Sequence, residues 1–289
     1  MPIPLSHTIF EITCFALLAI CVIFRIKKKD MPITAIFMEL FSIIAFGITI
    51  EIIAVSNGGY FYHDAHINVF EVPLYIGFGW ASIVFSIMWL TDSFKMPEWS
   101  RVFFASLMVL LLNFIFDAVA TRDQMWDWGI ELDTDWFGVP WFNFVNWWFI
   151  VFSMSIALRL TRKLPQKIDI RALKLFYPII AYVLALEIFA IIGSIQLLDW
   201  NLEILFVQMS ISIIVIIWKW KGFKKPITLK KDFPIYLLPT VFYLLFISLL
   251  VIKGYYREVL PLFIISISMF VLNLLFLTSI TIFSKKKPS

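Results

Sequence analysis

Apolar runs of about twenty residues recur along the whole chain, each bounded by charged or turn-forming residues. That length lets an α-helix, rising about 1.5 Å per residue, cross roughly 30 Å of hydrocarbon while bonding every backbone N–H and C=O within its own segment. Nine such runs are present: Thr8–Ile26, Ile33–Val55, Val72–Leu90, Val102–Ala120, Val139–Leu158, Leu175–Ile195, Leu202–Trp218, Phe233–Ile252 and Val259–Phe283. The seventh is the shortest, and eight spans result if it does not cross. A composition that is 61% hydrophobic and 15% charged excludes an ordinary soluble domain. The expectation is an all-α, polytopic membrane protein. Residues 1–289 carry no internal repeat, low-complexity tract or linker, so a single integral-membrane helical domain is expected.

The first run has no basic region before it and is followed by RIKKKD instead of a small-residue cleavage site, so it reads as a retained helix. Both cysteines, Cys14 and Cys21, lie inside it, which leaves no disulfide framework and assigns them to packing or lipid contact. Lys and Arg alternate between loops as the positive-inside rule requires: 21 of the 24 fall on one side, and only Arg122, Lys253 and Arg257 on the other. The amino terminus is therefore expected outside and the carboxyl terminus in the cytoplasm. Topology and anionic headgroups account for the basic residues, so the net charge of +4 gives no reason to invoke nucleic acid.

The acids are distributed differently. Phe116–Trp148 holds six of the twelve tryptophans and six of the twenty acidic residues, all near the expected outer face. Interfacial belts account for part of the tryptophan content. Aromatic faces also stabilise cations, by about 0.5–2 kcal/mol each, and a carboxyl group in a dry place beside them can stay protonated and act as an acid.

Ionisable residues within a bilayer cost roughly 2.5–3.5 kcal/mol each on insertion scales, so each is a candidate for function or for a helix–helix strut. Glu51 closes the second span, Asp117 lies in the last turn of the fourth, Glu187 is near the middle of the sixth and Glu39 is toward the inner half of the second. Asn113 and Asp117 stack on one helix face at a spacing of four, and Thr121 continues the stripe. Asn143 and Trp147 repeat the spacing after Gly138-Val139-Pro140, where Pro140 suits the first turn of a helix. Asn143 suits a cap, a packing contact or catalysis equally. HDAH, at His63–His66, is a weak metal motif with no third ligand nearby, and no glycine-rich nucleotide fingerprint is present. The chemistry expected is acid–base, without metal or cofactor.

The segments GGYFY (58–62), VPLYIGFGW (72–80), FDAVA (116–120), WDW (126–128) and FGVPWFNFVNWW (137–148) resemble the CruF-type carotenoid hydratases, which include the archaeal bisanhydrobacterioruberin hydratases. The likeness covers about residues 51–149, with Glu51, Tyr60, Tyr62, Pro73, Trp80, Asp117, Trp126, Trp128, Gly138, Pro140, Asn143 and Trp147 matching the family pattern. It departs at Thr121-Arg122, where the family has Asp-Pro, and this leaves the exact substrate open. The resemblance implies a cell-membrane enzyme that adds water to terminal double bonds of an acyclic carotenoid or related isoprenoid. It also implies association with other membrane enzymes of that pathway.

On that reading Asp117 or Glu51 donates the proton, and Asn143 with Asn113 positions water. Tyr60, Tyr62, Trp80, Trp126, Trp128 and Trp147 bind the substrate and stabilise a carbocation. Two rivals remain. A UbiA-type prenyltransferase or lycopene elongase-like enzyme would use Asn113-x3-Asp117 with a second acidic motif around Asp199 and Glu203. A lipid transporter or scaffold would line a path with Glu51, Asp117 and Glu187.

Overall fold

The computed structural model describes residues 3–29, 31–63, 65–163, 171–194, 200–224 and 226–286. Its long helices are α1 (Leu5–Lys28), α2 (Ile33–Ser56), α3 (Leu74–Asp92), α4 (Glu98–Arg122), α5 (Trp141–Arg162), α6 (Arg171–Gly193), α7 (Asn201–Lys219), α8 (Phe233–Ile252) and α10 (Leu260–Lys286), with a single turn, α9 (Tyr255–Glu258), before the last. Eight are long and apolar enough to cross a membrane, including the short seventh run. The sixth run forms α6, whose described apolar stretch is only Ile179–Ile188. The chain is a polytopic all-α membrane protein.

Expected and observed spans differ mainly at their ends. Pro97 precedes α4 and lets it begin at Glu98, so Arg101 lies inside the helix, where its guanidinium turns back to the Met96 carbonyl at 2.7 Å. At the other end of the bundle, Val72 pairs in a strand and α3 starts only after Pro73.

Burial divides the helices into two groups. The spanning windows of α3, α4 and α5 are 83%, 78% and 72% buried, against 22% for α7 and α10, so the first three form the centre of the bundle. The outer faces carry large apolar side chains such as Phe206, Ile214, Ile217 and Leu275. A helix that is apolar all round suits a surface whose solvent is lipid.

The two ends of the bundle differ in chemistry. At the basic end, the Arg162 fork grips both oxygens of Glu39 at 2.6 Å each, while Arg159 and Arg162 meet Asp92 at 2.5 and 3.2 Å. Glu39 is therefore a strut between α2 and α5, the bland alternative for an intramembrane acid. Backbone bonds from Lys95 to Gly222 (2.8 Å) and from Lys221 to Lys95 (3.2 Å) tie the α3–α4 and α7–α8 loops together at this end.

The opposite end is closed by two small antiparallel sheets. β1 (Phe61–Tyr62) pairs with β4 (Trp126–Asp127), and β2 (Asn68–Val69) with β3 (Val72–Pro73). The first places Tyr62 opposite Trp126, pinning the α2–α3 connection to the α4–α5 connection. The α4–α5 loop returns to α5 through Gly138, at φ +87°, where a Cβ would also lie 3.0 Å from Leu132 Cα. Pro140 takes the position just before the helix, one residue short of the first-turn place expected, and α5 begins at Trp141.

Candidate active site

Glu51 and Gly47 are one turn apart on the same face of α2. A Cβ at residue 47 would fall 3.0–3.2 Å from three Trp80 atoms, so the missing side chain is what lets the Trp80 indole lie flat against α2. From there Trp80 Nε1 donates to Glu51 Oε1 at 2.9 Å. The Tyr62 hydroxyl, carried in on β1, donates to Glu51 Oε2 at 2.8 Å, and Tyr60 Oη is 3.4 Å from Tyr62 Oη. Burial, and after it the charge of Glu51, holds the Tyr62 phenol well above the usual tyrosine value, so it keeps its proton.

Asp117 reaches the same space from α4. Asn143, in the first turn of α5, donates through Nδ2 to Asp117 Oδ2, and Trp147 one turn further on lies beside the same carboxyl. Asn113, one turn below Asp117, is wholly buried next to it but completes no hydrogen bond of good geometry. Glu51 and Asp117 each stand five residues from the end of their helix, about 7–8 Å along the axis.

Between the two carboxyls lies a cavity of about 110 Å³. Roughly 10–15 Å³ by such a measure holds one water, so this space admits a small group together with water. Glu51, Asp117, Asn143, Tyr60, Tyr62, Trp80, Trp126, Trp128 and Trp147 all line it. Of the site residues expected from sequence, Asn113 alone is set back behind the wall. The rings form a connected lining: Trp80 and Trp147 centroids are 4.4 Å apart, Tyr60 and Trp128 4.3 Å, and Phe116 stacks on Trp126 at 5.7 Å. The indole N–H groups of Trp126 and Trp128 are buried with no partner among the described residues, leaving two unused donors in the wall.

Sequence reasoning missed several wall residues. Phe10 and Cys14 enter from α1, Tyr75 from α3, and Phe142 and Asn146 from α5. Asn146 lies one turn beyond Asn143 and was legible as part of the same helix face; Phe10 was one apolar residue among many. Cys14 and Cys21 are both buried, which decides for packing over lipid contact.

Other candidates lie elsewhere. Glu187 is exposed on α6, away from the cavity, and Glu203 is exposed on α7. Asp199 falls outside the described residues, so no second acidic motif joins Asn113 and Asp117 among those described. His66 Nδ1 meets Glu11 at 2.5 Å, while Asp123 receives Lys253 at 3.1 Å and its backbone carbonyl receives His7 at 2.9 Å. Those acids join segments at the end closed by the two small sheets, the cap of the bundle. No group of three His, Cys, Asp or Glu suited to a metal ion occurs among the described residues.

Residues 7–217 match the sequence pattern of a family described as carotenoid biosynthesis protein. The chain belongs to this family. Neither a curated protein nor a solved structure matches it. Every residue lining the cavity of this carotenoid biosynthesis protein, from Phe10 to Ile150, falls inside the matched region. The family places the chain in carotenoid biosynthesis, and its eight long apolar helices make it a multi-pass membrane protein, which fits a lipophilic substrate.

Proposed function

We propose that this protein is a cofactor-independent hydratase that adds water to a terminal trisubstituted double bond of an acyclic carotenoid or related isoprenoid. The observation carrying this reading is that Glu51 and Asp117, from different helices, share one aromatic-walled cavity with room for an alkene end and water. The reaction requires the pair to hold one proton before the alkene arrives. Asp117 is the donor and Glu51 the acceptor, because both Glu51 oxygens already receive donors, the arrangement suited to a carboxylate.

The reaction balances as follows. The Asp117 O–H proton passes to the less substituted alkene carbon, the π pair forms the new C–H bond, and positive charge remains on the tertiary carbon. The faces of Trp80, Trp126, Trp147 and Tyr60 stabilise that charge. Water attacks the cation, its oxygen forming the C–O bond, and its surplus proton passes to Glu51. Return of that proton to Asp117 restores the site, for a net addition of one water. Asn143 orients Asp117 and water, and the free N–H groups of Trp126 and Trp128 hold the incoming or newly formed hydroxyl. Asn113 supports Asp117 from behind and does not touch substrate.

By the positive-inside rule the site belongs to the outer half of the cell membrane. Expression in cells that accumulate acyclic carotenoids, followed by mass spectrometry of the pigments, tests the reading. A gain of one or two waters that disappears with Asp117→Asn supports it. Unchanged products across a panel of isoprenoids with unsaturated ends defeat it, and reporter fusions placing the amino terminus inside defeat the orientation.

A further inference from the structure

A second, larger cavity of about 270 Å³ lies between α3, α4, α8 and α10. Ile83 lines both cavities, so at that point one side chain separates them. The second sits toward the basic end. Met108 in its wall is nine residues down α4 from Asp117, and Leu90 is ten down α3 from Trp80, roughly 13–15 Å along the axes. Its lining is mostly Ile, Leu, Met and Phe; of its polar residues Ser86 donates to the Pro234 carbonyl at 3.0 Å, Tyr243 contributes a hydroxyl, and Asn273 contributes an amide. Asn273, from α10, is 8% exposed and its Nδ2 has no hydrogen-bond partner among the described residues. A buried amide donor left unpaired is costly, and a site built to hydrogen-bond an oxygen discriminates against a ligand lacking one. The α8 and α10 walls lie beyond residue 217, where the family match ends.

We propose that the second cavity holds the distal part of the same isoprenoid chain, and that Asn273 donates a hydrogen bond to an oxygen, hydroxyl or carbonyl, carried there. The chain enters past Ile83 with its unsaturated end between Asp117 and Glu51. This inference rests on the hydratase reading of the first cavity. It makes the protein selective for isoprenoids that are long enough to reach Asn273 and are already oxygenated at that end.

The test uses the full-length protein in lipid nanodiscs with geranylgeraniol bearing a diazirine beside its hydroxyl, photolysed and mapped by peptide mass spectrometry. Adducts are expected on α8 and α10 around Leu238 and Met269–Leu277. Asn273→Leu is expected to weaken binding of the alcohol by about 2- to 12-fold while leaving binding of the hydrocarbon lacking the hydroxyl unchanged. Ile83→Trp, or Ile83→Phe if the larger residue prevents folding, is expected to abolish those adducts by closing the passage. Adducts confined to the first cavity overturn the proposal. So does labelling of the second cavity that survives the Ile83 block or is displaced equally by phospholipid, since either marks an independent lipid site. Labelling that follows the expected pattern without any hydration upholds the tail site and rejects only the reaction assigned to the first cavity.

Discussion

Replacing Asp117 by Asn separates the chemistry of the site from its architecture. The substitution conserves shape, and the Asn143 amide can face either end of the new side chain, so the buried hydrogen bond between α4 and α5 is retained. The folding cost is expected to stay within about 1 kcal/mol. The proton available to the alkene is lost. A positioned general acid contributes about 10²–10⁴ in rate, and at about 1.36 kcal/mol per factor of ten this is roughly 2.7–5.5 kcal/mol on the barrier. The assay is the rate at which membranes bearing equal amounts of folded protein produce the singly hydrated pigment, with thermal unfolding in detergent as the folding control. Glu51→Gln is expected to slow the same step, because the water's proton then has nowhere to go. The double variant should be little slower than the worse single one, since donor and acceptor act as a unit. An Asp117→Asn protein that folds and hydrates at the unsubstituted rate refutes the assignment. Additive losses in the double variant refute the pairing of the two carboxyls.

Other substitutions test how the site is held. Trp80→Phe keeps an aromatic ring but removes the N–H that Glu51 Oε1 receives, and that loss alone should cost about 1.5–3 kcal/mol of stability, read as a lower unfolding temperature. Gly47→Ala puts a Cβ 3.0–3.2 Å from the Trp80 indole. A 1 Å misplacement of a catalytic group costs about a hundredfold, so a shift of a few tenths should lower hydration less than tenfold while the fold survives. Asp92→Ala leaves Arg162 paired with Glu39 but takes from Arg159 its carboxylate partner, leaving it Thr91 and Ser155, and should cost about 1.5–3 kcal/mol at the far end. Its per-molecule hydration rate should be unchanged once folded protein is normalised.

The helices were legible because crossing hydrocarbon imposes a length and an apolar content that few other structures need; even the short run at Leu202–Trp218 became a helix, Asn201–Lys219. The residues that converge on the candidate site were legible where chemistry made one unusual in its surroundings, as with Glu51, Asp117 and Asn143. The tryptophan-rich segment was harder to read because one composition serves several ends. Trp126, Trp128 and Trp147 line the cavity, but Trp136 donates to the Phe114 carbonyl at 2.7 Å and Trp148 to Ser212 at 3.1 Å, fastening the loop to α4 and α5 to α7. Asp123 pairs with Lys253 and Asp127 accepts the Gly129 N–H at 2.8 Å, so acids beside aromatic rings there are largely structural. Phe10, Cys14 and Gly47 carried no local signal, because their roles come from which helix α1 or α2 faces. That is a tertiary fact with no counterpart in spacing.

On the proposed reading, hydrating a hydrocarbon end joins two reactants that do not share a phase, and the position of the cavity suits that requirement. Carboxyls about 7–8 Å below their helix ends are near enough to the polar loops for water to arrive and deep enough for an apolar chain to reach them from the bilayer. The small sheet formed by β1 and β4 brings Tyr62 and Trp126 over that junction. A cation formed in open solvent would be trapped indiscriminately, whereas one formed against Trp80, Trp147 and Phe116 meets the water that the site positions. Tyr62→Phe removes one donor to Glu51 and, if it also loosens the cap, should admit more water, so the cation is trapped by water more often and the share of isomerised alkene, formed when the cation loses a proton instead, falls. A Tyr62→Phe variant that alters the rate without changing that product ratio would show that the cap excludes no water.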